Sequence, residues 1–186
     1  LTALLQLASP SLPIGGYSYS QGLESAIELG LVHDETTTYQ WIADQLEHVL
    51  GYGEAPLWLS VYNAFQNEDE KTICRLNDWF MASRETQEMR QETQQMGWSL
   101  LQLAESLKWC EPHHIDLLKS LDPASFPCVH AGLVSAKKIN SQAGLTAYLF
   151  SWLENQVMAA LKSVPLGQMS GQRVTQQLRE TLVDVC

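Results

Sequence analysis

Apolar residues recur at helical spacing along most of this chain, and this periodicity limits the folds that the chain can adopt. The first clear stripe follows positions i, i+4, i+7 and i+8 and consists of Ile42, Leu46, Val49 and Leu50. Such a pattern predicts an amphipathic helix with one buried face. Gly51 comes directly after the stripe and predicts that this helix ends there.

Three further segments show the same period. One carries the stripe Ile73, Leu76, Trp79 and Phe80, with Asp69 near its start. The stretch 84–107 is expected to form one long helix whose first half is polar and whose second half is apolar. The last segment has Ser141 as its expected N-cap, and one face of it is formed by Leu145, Leu149, Trp152, Leu153, Gln156 and Val157.

Turn-forming residues separate these segments, for example at Gly30, 53–56, 67–69 and Pro112. No run of alternating β-branched residues is long enough for a sheet. A chain of 186 residues is the size of one ordinary domain. The sequence therefore predicts an all-α fold, a single-domain helical bundle over residues 1–186 with short connections.

The charge balance argues against several classes of partner. The formal net charge is −10, and Lys137-Lys138 is the only adjacent basic pair, so we expect no nucleic-acid binding. No apolar run approaches the ~20 residues of a membrane-spanning helix, and an acidic protein is repelled by anionic membranes. No signal-peptide pattern is visible, and because the chain begins at Leu1 we expect a few residues to precede it. The four widely spaced cysteines are typical of reduced thiols in a cytoplasmic protein.

The composition also indicates a surface that is covered by another protein. Charged residues make up only 17% of the chain, against about a quarter in typical soluble domains. The chain contains six tryptophans and six tyrosines, residues that are favoured at protein interfaces. We therefore expect protein–protein interaction to be part of its function.

The segment 12–24 combines proline, glycine, serine and tyrosine in an unusual way. Pro13 fixes its backbone φ angle, whereas Gly15 permits backbone conformations that other residues avoid. Two tyrosines alternate with two serines, which is too aromatic for a flexible linker. We call residues 12–24 the opening segment and expect it to have a defined shape. Its tyrosines are expected to brace helices and to pack next to a dimer interface rather than to line a ligand pocket.

Two groups of residues could carry chemistry, and each has a simpler interpretation. Cys110, His113 and His114 could bind a soft metal, or they could simply mark a solvated helix start at Glu111-Pro112. Cys128 and His130 could be a nucleophile and its base, or two packed core residues. No second pair of metal ligands, no phosphate-binding loop and no paired catalytic carboxylates are present. The sequence therefore predicts no catalytic residue, no cofactor and no metal site.

A second segment, 164–172, contains Pro165, which is expected to end the preceding helix, and two Gly-Gln pairs four residues apart. The opening segment resembles the N-terminal signature of the UreF family of urease accessory proteins, and the second segment resembles its C-terminal one. Arg84, Glu88, Arg90 and Glu92, followed by Met96-Gly97, resemble the central helix of the family. The resemblance extends from about Leu4 to Gln172, nearly the whole chain.

This resemblance implies an all-helical, cytoplasmic homodimer that is not an enzyme. It implies a chaperone and scaffold that joins UreD (also called UreH) and the GTPase UreG for nickel insertion into the urease apoprotein. A regulator of UreG resembling a GTPase-activating protein, and a direct nickel carrier, are the alternatives. The signature or partner-binding positions are Leu12, Pro13, Gly15, Tyr17, Ser18, Gly22, Leu23, Glu24, Arg84, Glu88, Arg90, Met96, Gly97, Lys162, Pro165, Leu166, Gly167, Gln168, Gly171 and Gln172.

Some residues depart from the family pattern. Gln21 stands where many relatives have histidine, Tyr17 where phenylalanine is common, and Met169 where threonine is usual. Lys162 keeps a positive charge without the two-pronged hydrogen bonding of arginine.

Relatives continue into a tail that docks to UreD, whereas this chain ends at Cys186, so we expect that tail to be absent here or disordered. The polar half of 84–107 is either a solvated face or a contact surface for these partners.

Overall fold

The computed structural model describes residues 1–186, and its secondary structure consists of helices only. The α-helices are α1 (Thr2–Leu7), α2 (Leu23–Glu28), α3 (Glu35–Asp44), α4 (Ala55–Gln66), α5 (Glu70–Ser83), α6 (Gln87–Ser106), α7 (Pro112–Lys119), α8 (Phe126–Ala136), α9 (Ser141–Ser163) and α10 (Gln168–Val185). A 3₁₀ helix covers Gly16–Ser18 and a π-helix covers Gln45–Glu54. The prediction of an all-α fold is confirmed. None of the helices is both long and apolar enough to cross a lipid bilayer.

The core forms around α4 and α8, which make the most extensive helix–helix contact in the protein. All residues of α8 from Pro127 to Ser135 are buried. The indole N–H of the buried Trp58 donates to His130 Nδ1 at 3.1 Å. Burial lowers the pKa of His130 to about 3, so this side chain is a neutral core residue.

The helix that begins at Glu35 does not end at Gly51, so this prediction is wrong. α3, the π-helix and α4 follow one another without a break from Glu35 to Gln66. The amide of Ala55 donates to the carbonyl of Leu50, five residues earlier, which is the π-helical pattern. A glycine within a helix costs only about 1 kcal/mol, and the core packing of the buried Leu50 and its neighbours outweighs that cost.

The stretch 84–107 forms one long helix, α6, as predicted, but this helix begins at Gln87 rather than at Arg84. α5 ends at Ser83, and α6 begins at Gln87 after the hydroxyl of Thr86 has accepted a hydrogen bond from the amide of Met89. This N-cap starts α6 as a helix separate from α5. Arg84 therefore lies in the link between α5 and α6 and not on the central helix.

Two details of the other helices differ from expectation, and one agrees. Asn140 caps α9 in place of Ser141, because its side chain accepts from the amide of Ala143. Val49 and Trp79 are 45% and 56% exposed, so the buried stripes are narrower than predicted. Asp69 caps the start of α5, as the sequence indicated.

A second, smaller group of buried side chains links the opening segment to the second segment, 164–172. Its fully enclosed members are Leu23, Ala26, Val32, Ala160 and Val164, and Leu166 packs against them. The packing of α2 against the end of α9 therefore brings the two segments together, although about 140 residues separate them along the chain.

Candidate functional site

The opening segment lies across α6 and α9. Gly15 adopts a φ of +81°, in the left-handed region, and begins the 3₁₀ helix that carries Tyr17. A Cβ at Gly16 would lie 2.9 Å from Asn155 Nδ2 and 3.2 Å from Met96 Cε. Gly16 thus lets the segment approach both helices closely, since any larger residue would have to displace these two side chains. The segment closes one side of the space between the helices.

That space is a cavity of about 60 Å³, which we call the central cavity. Its walls come from the opening segment, the end of the π-helix, the last turn of α5, the α5–α6 link, α6, the start of α8 and α9. The polar lining includes Gln21, Glu54, Arg84, Glu92, Asn155 and Gln156. The apolar and aromatic lining includes Tyr19, Phe80, Met89, Met96, Phe126 and Trp152.

Gln21 joins the opening segment to both helices. Its amide Nε2 donates to Glu92 Oε1 at 2.7 Å, and its Oε1 accepts from the indole N–H of Trp152 at 2.6 Å. The residue has a φ of +49°, an uncommon backbone conformation for a non-glycine residue. The paired contacts compensate for this backbone cost and hold the mouth of the central cavity.

Glu54 is the end point of a second set of polar contacts. Its Oε1 accepts from the hydroxyl of Tyr148, and its Oε2 lies 3.7 Å from Arg84 Nη1. The guanidinium of Arg84 also lies over the Phe80 ring, 4.2 Å from its centroid. The Nε of Arg84 is buried without a protein hydrogen-bond partner. Burial raises the pKa of Glu54, while Tyr148 and Arg84 act in the opposite direction.

Glu92 is the titratable group of the cavity that changes charge near neutral pH. Burial, together with the nearby charge of Glu54, raises its pKa to about 7, and the contacts with Gln21 and Arg84 offset only part of this effect. The folded state therefore holds the Glu92 proton more tightly than the unfolded chain does. The resulting stabilisation is complete below the ordinary value of 4.5 and is lost as the pH rises through about 7.

Replacing Glu92 by glutamine is expected to remove this pH dependence. The amide keeps the shape of the protonated acid and an oxygen for Gln21, so at about pH 8 the variant should be roughly 2 kcal/mol more stable than the wild type. Near the ordinary pKa of glutamate the two proteins should be about equally stable. Urea denaturation at both pH values measures this difference. Glu88→Gln, an exposed change on the same helix, is the control, and an equal gain in both variants would contradict the account.

The residues that were considered for metal binding or nucleophilic catalysis lie elsewhere. The rings of His113 and His114 on α7 lie with their centroids 3.9 Å apart and are tilted by 39°. No group of three or more His, Cys, Asp or Glu side chains is arranged to hold a metal ion. Cys128 is fully buried, and burial raises the pKa of its thiol to about 12. At neutral pH this thiol is therefore protonated, and Cys128 is a core residue of α8.

The structure divides the signature positions into three groups. Arg84 and Met96 line the central cavity. Buried or partly buried packing positions are Leu12, Gly15, Leu23, Gly97, Leu166 and Gly171. Exposed positions are Pro13, Tyr17, Ser18, Gly22, Glu24, Glu88, Arg90, Lys162, Pro165, Gly167, Gln168 and Gln172. The cavity therefore brings together the opening segment and the central helix, whereas the second signature meets the opening segment only through packing.

The sequence analysis missed several cavity residues, and the tyrosines only partly follow expectation. Tyr19 packs against the core but also lines the cavity, while Tyr17 is 67% exposed. Tyr148, Trp152 and Gln156 had a readable signal, since they repeat every fourth residue on one face of α9. No sequence signal indicated Glu54 as a cavity residue. Its position depends on the π-helix, and the glycines at 51 and 53 within this helix favour a helix end instead.

Most of the chain matches one known protein family. The family model for UreF matches residues 32–179. The chain is 53% identical over 178 residues to "Urease accessory protein UreF" of Bordetella parapertussis, covering 96% of this chain and 81% of that protein. It is 49% identical over 184 residues to the protein of the same name from Cupriavidus taiwanensis, covering 99% of this chain and 80% of that one.

A third relative is a longer protein. The chain is 54% identical over 182 residues to "Bifunctional urease accessory protein UreEF" of Bordetella bronchiseptica, which covers 98% of this chain. It spans only 42% of the length of that relative. The family match covers well over half of this chain, and the identity to the relatives is close to one half. The chain therefore belongs to the UreF family of urease accessory proteins.

Proposed function

We propose that this protein is a scaffold and chaperone of urease maturation, which joins UreD (UreH) to the GTPase UreG for nickel insertion into the urease apoprotein. The observation that carries the proposal is membership of the UreF family over nearly the whole chain. In this proposal residues 1–186 act as one UreF-like domain, and the protein works in the cytoplasm as a homodimer without a catalytic role of its own.

The exposed surface supports a role in binding other proteins. Tyr17 and Met169, one in each signature, are 67% and 70% exposed. Trp98 on α6 is 59% exposed and lies next to Tyr19 across a shallow depression lined with glutamines. Large apolar side chains are costly to leave in water, and aromatic residues and methionine are enriched at interfaces. In this proposal both signatures and the exposed side of α6 contact the partner proteins.

A regulator of UreG is the second candidate function, and the contacts of the arginines show which of them could act on UreG. An arginine finger has to be free to reach another protein. Arg84 is held in the central cavity, and Arg173 makes hydrogen bonds of 2.8 and 2.6 Å to the two carboxylate oxygens of Glu35. Arg90 is exposed and makes only a 3.5 Å contact with the carbonyl of Glu85. Of the three candidate arginines, Arg90 is thus the one that is available.

The Arg90→Ala variant separates the two roles. If this arginine stabilised the transition state of GTP hydrolysis, its loss would lower the stimulated turnover of UreG by about 10³-fold or more. The scaffold proposal predicts less than about a twofold change, since no phosphoryl group is then contacted. Single-turnover GTP hydrolysis by UreG, with wild type and variant at equal concentration, measures the difference. Arg179→Ala, an exposed arginine on α10, controls for the lost charge.

A direct nickel carrier has less support, because Cys110, His113, His114, Cys128 and His130 do not converge on one point. Equilibrium dialysis with nickel tests this role, and tight stoichiometric binding that is lost in His113→Ala would support it against the scaffold. The scaffold itself is tested by complementation in a urease-producing strain that lacks its own UreF. The full-length chain should restore nickel-dependent urease activity, and stable expression without any restoration would count against the proposal.

A further inference from the structure

The central cavity is lined by more acidic than basic groups. Two carboxylates, Glu54 and Glu92, face a single guanidinium, that of Arg84. Arg84 pairs with Glu54 and lies over the Phe80 ring, so its positive charge compensates mainly the carboxylate of Glu54. Glu92 makes no ion pair in the protein.

One oxygen of Glu92 is also available for a hydrogen bond. Its Oε1 accepts from Gln21, but no protein donor contacts its Oε2. The side chain is half-buried, and partial loss of hydration makes its negative charge costly unless a proton or a cation compensates it. The unoccupied oxygen thus marks a place where a cationic donor is favoured.

The other walls of the cavity suit an organic cation. The rings of Tyr19, Phe126 and Trp152 line it, and aromatic rings attract guanidinium and ammonium groups through their faces. A volume of about 60 Å³ holds roughly four water molecules, which is enough for one such group and a water at Arg84 Nε. Coordination of a metal ion is disfavoured, because no three His, Cys, Asp or Glu side chains converge here.

We propose that the central cavity binds a small organic monocation, a guanidinium or primary ammonium group, with the carboxylate of Glu92 as its counter-ion. Tyr19 and Trp152 flank the group at the mouth of the cavity. The cation is carried either by a free small molecule or by an arginine or lysine side chain, and these two sources share the same chemistry. The inference stands without the scaffold proposal, since it rests on the charges and contacts of the cavity alone.

Guanidinium and urea provide a matched pair of probes, because they have nearly the same shape and differ in charge. The indole N–H signal of Trp152, observed by NMR, reports on the contact with Gln21 at the cavity mouth. Millimolar guanidinium chloride should shift this signal in a saturable way, with sodium chloride as the salt control. Urea at the same concentrations should leave it unchanged. Equal saturable responses to urea and guanidinium would overturn the proposal.

Two variants on α6 identify the counter-ion. Glu92→Gln should weaken guanidinium binding by at least about tenfold, the usual effect of losing a charged hydrogen-bond partner. Glu88→Gln, which removes an exposed carboxylate one turn away, should bind as the wild type does. Unchanged binding by Glu92→Gln, or the absence of any saturable response in the wild type, would contradict the proposal.

Binding should also depend on pH, because the cation requires the ionised form of Glu92. The charged and titratable groups facing that carboxyl are Glu54, Arg84 and Tyr148. One pH unit below the Glu92 pKa of about 7, guanidinium affinity should be about tenfold lower than at high pH, where Glu92 is fully ionised. Calorimetry near this pKa should show that binding releases protons. A pH-independent affinity over this range would overturn the assignment of Glu92.

Methylguanidinium and N-acetyl-arginine amide show whether the natural cation is a free small molecule or the side chain of a protein. Stronger binding of the arginine derivative would support a protein side chain as the natural occupant, since its stem and backbone then add contacts outside the mouth. Exclusion of the derivative while methylguanidinium binds would support a free small molecule. Failure of both compounds to compete with guanidinium would count against the site.

Discussion

Replacing Gly97 by alanine is expected to destabilise the protein by about 3 kcal/mol, because the new methyl group has no room. A Cβ at this position would lie 2.4 Å from the carbonyl oxygen of Ala124 and 3.0 Å from the amide of Phe126. Both are backbone atoms at the start of α8, which cannot turn away as a flexible side chain can. α6 and α8 would have to separate, and Met96 and Phe126 would move apart in the central cavity.

Gly53→Ala is the matched control for this change. Gly53 also lies within a helix, but a Cβ there meets no atom within 4 Å. Alanine should therefore be neutral there, or stabilising by up to about 1 kcal/mol through its helix propensity. Urea denaturation of both variants compares them directly. Similar stabilities for the two variants would mean that the close contact of α6 with α8 has been misassigned.

Replacing Arg84 by alanine should have the second largest effect. The change leaves the largely buried carboxylate of Glu54 without its cation and removes the contact with the Phe80 ring. Breaking one side of a buried pair is strongly destabilising, and we expect a loss of about 3 kcal/mol at neutral pH. Thermal and chemical denaturation measure it. Arg90→Ala, an exposed change on α6, should stay within about 0.5 kcal/mol of the wild type.

A double variant shows whether the charge of Glu54 is the cause. Adding Glu54→Gln to Arg84→Ala removes the unpaired carboxylate while keeping an acceptor for Tyr148. The double variant should be more stable than Arg84→Ala alone, by about 1 kcal/mol or more. If the second change has no effect or lowers stability further, the loss in Arg84→Ala comes from packing and the ion pair carries little.

Local patterns predicted the elements of this fold well. The periodic apolar residues of α9, the capping Asp69 and the proline at 165 each act within a few residues of their own position, so the sequence reveals them. The helix end that Gly51 predicted is wrong because this prediction, too, considered only local sequence. Its local preference to end a helix is opposed by the burial of Leu46 and Leu50, and that burial depends on distant helices.

The central cavity could not be predicted in this way. Gln21 meets Glu92 and Trp152 across separations of 71 and 131 residues, and Glu54 meets Tyr148 across 94. No short-range sequence spacing predicts any of these pairs. The raised pKa of Glu92 is likewise a property of burial, which exists only once the opening segment has folded over α6 and α9.

The scaffold account is tested most directly by stepwise co-purification. Tagged full-length protein should first retain UreD, and UreG should then join this pair, with each partner present in stoichiometric amounts. UreG should not be retained by tagged UreD when the protein is left out. Retention of UreG by UreD alone, or no retention of either partner by the folded full-length protein, would contradict the account.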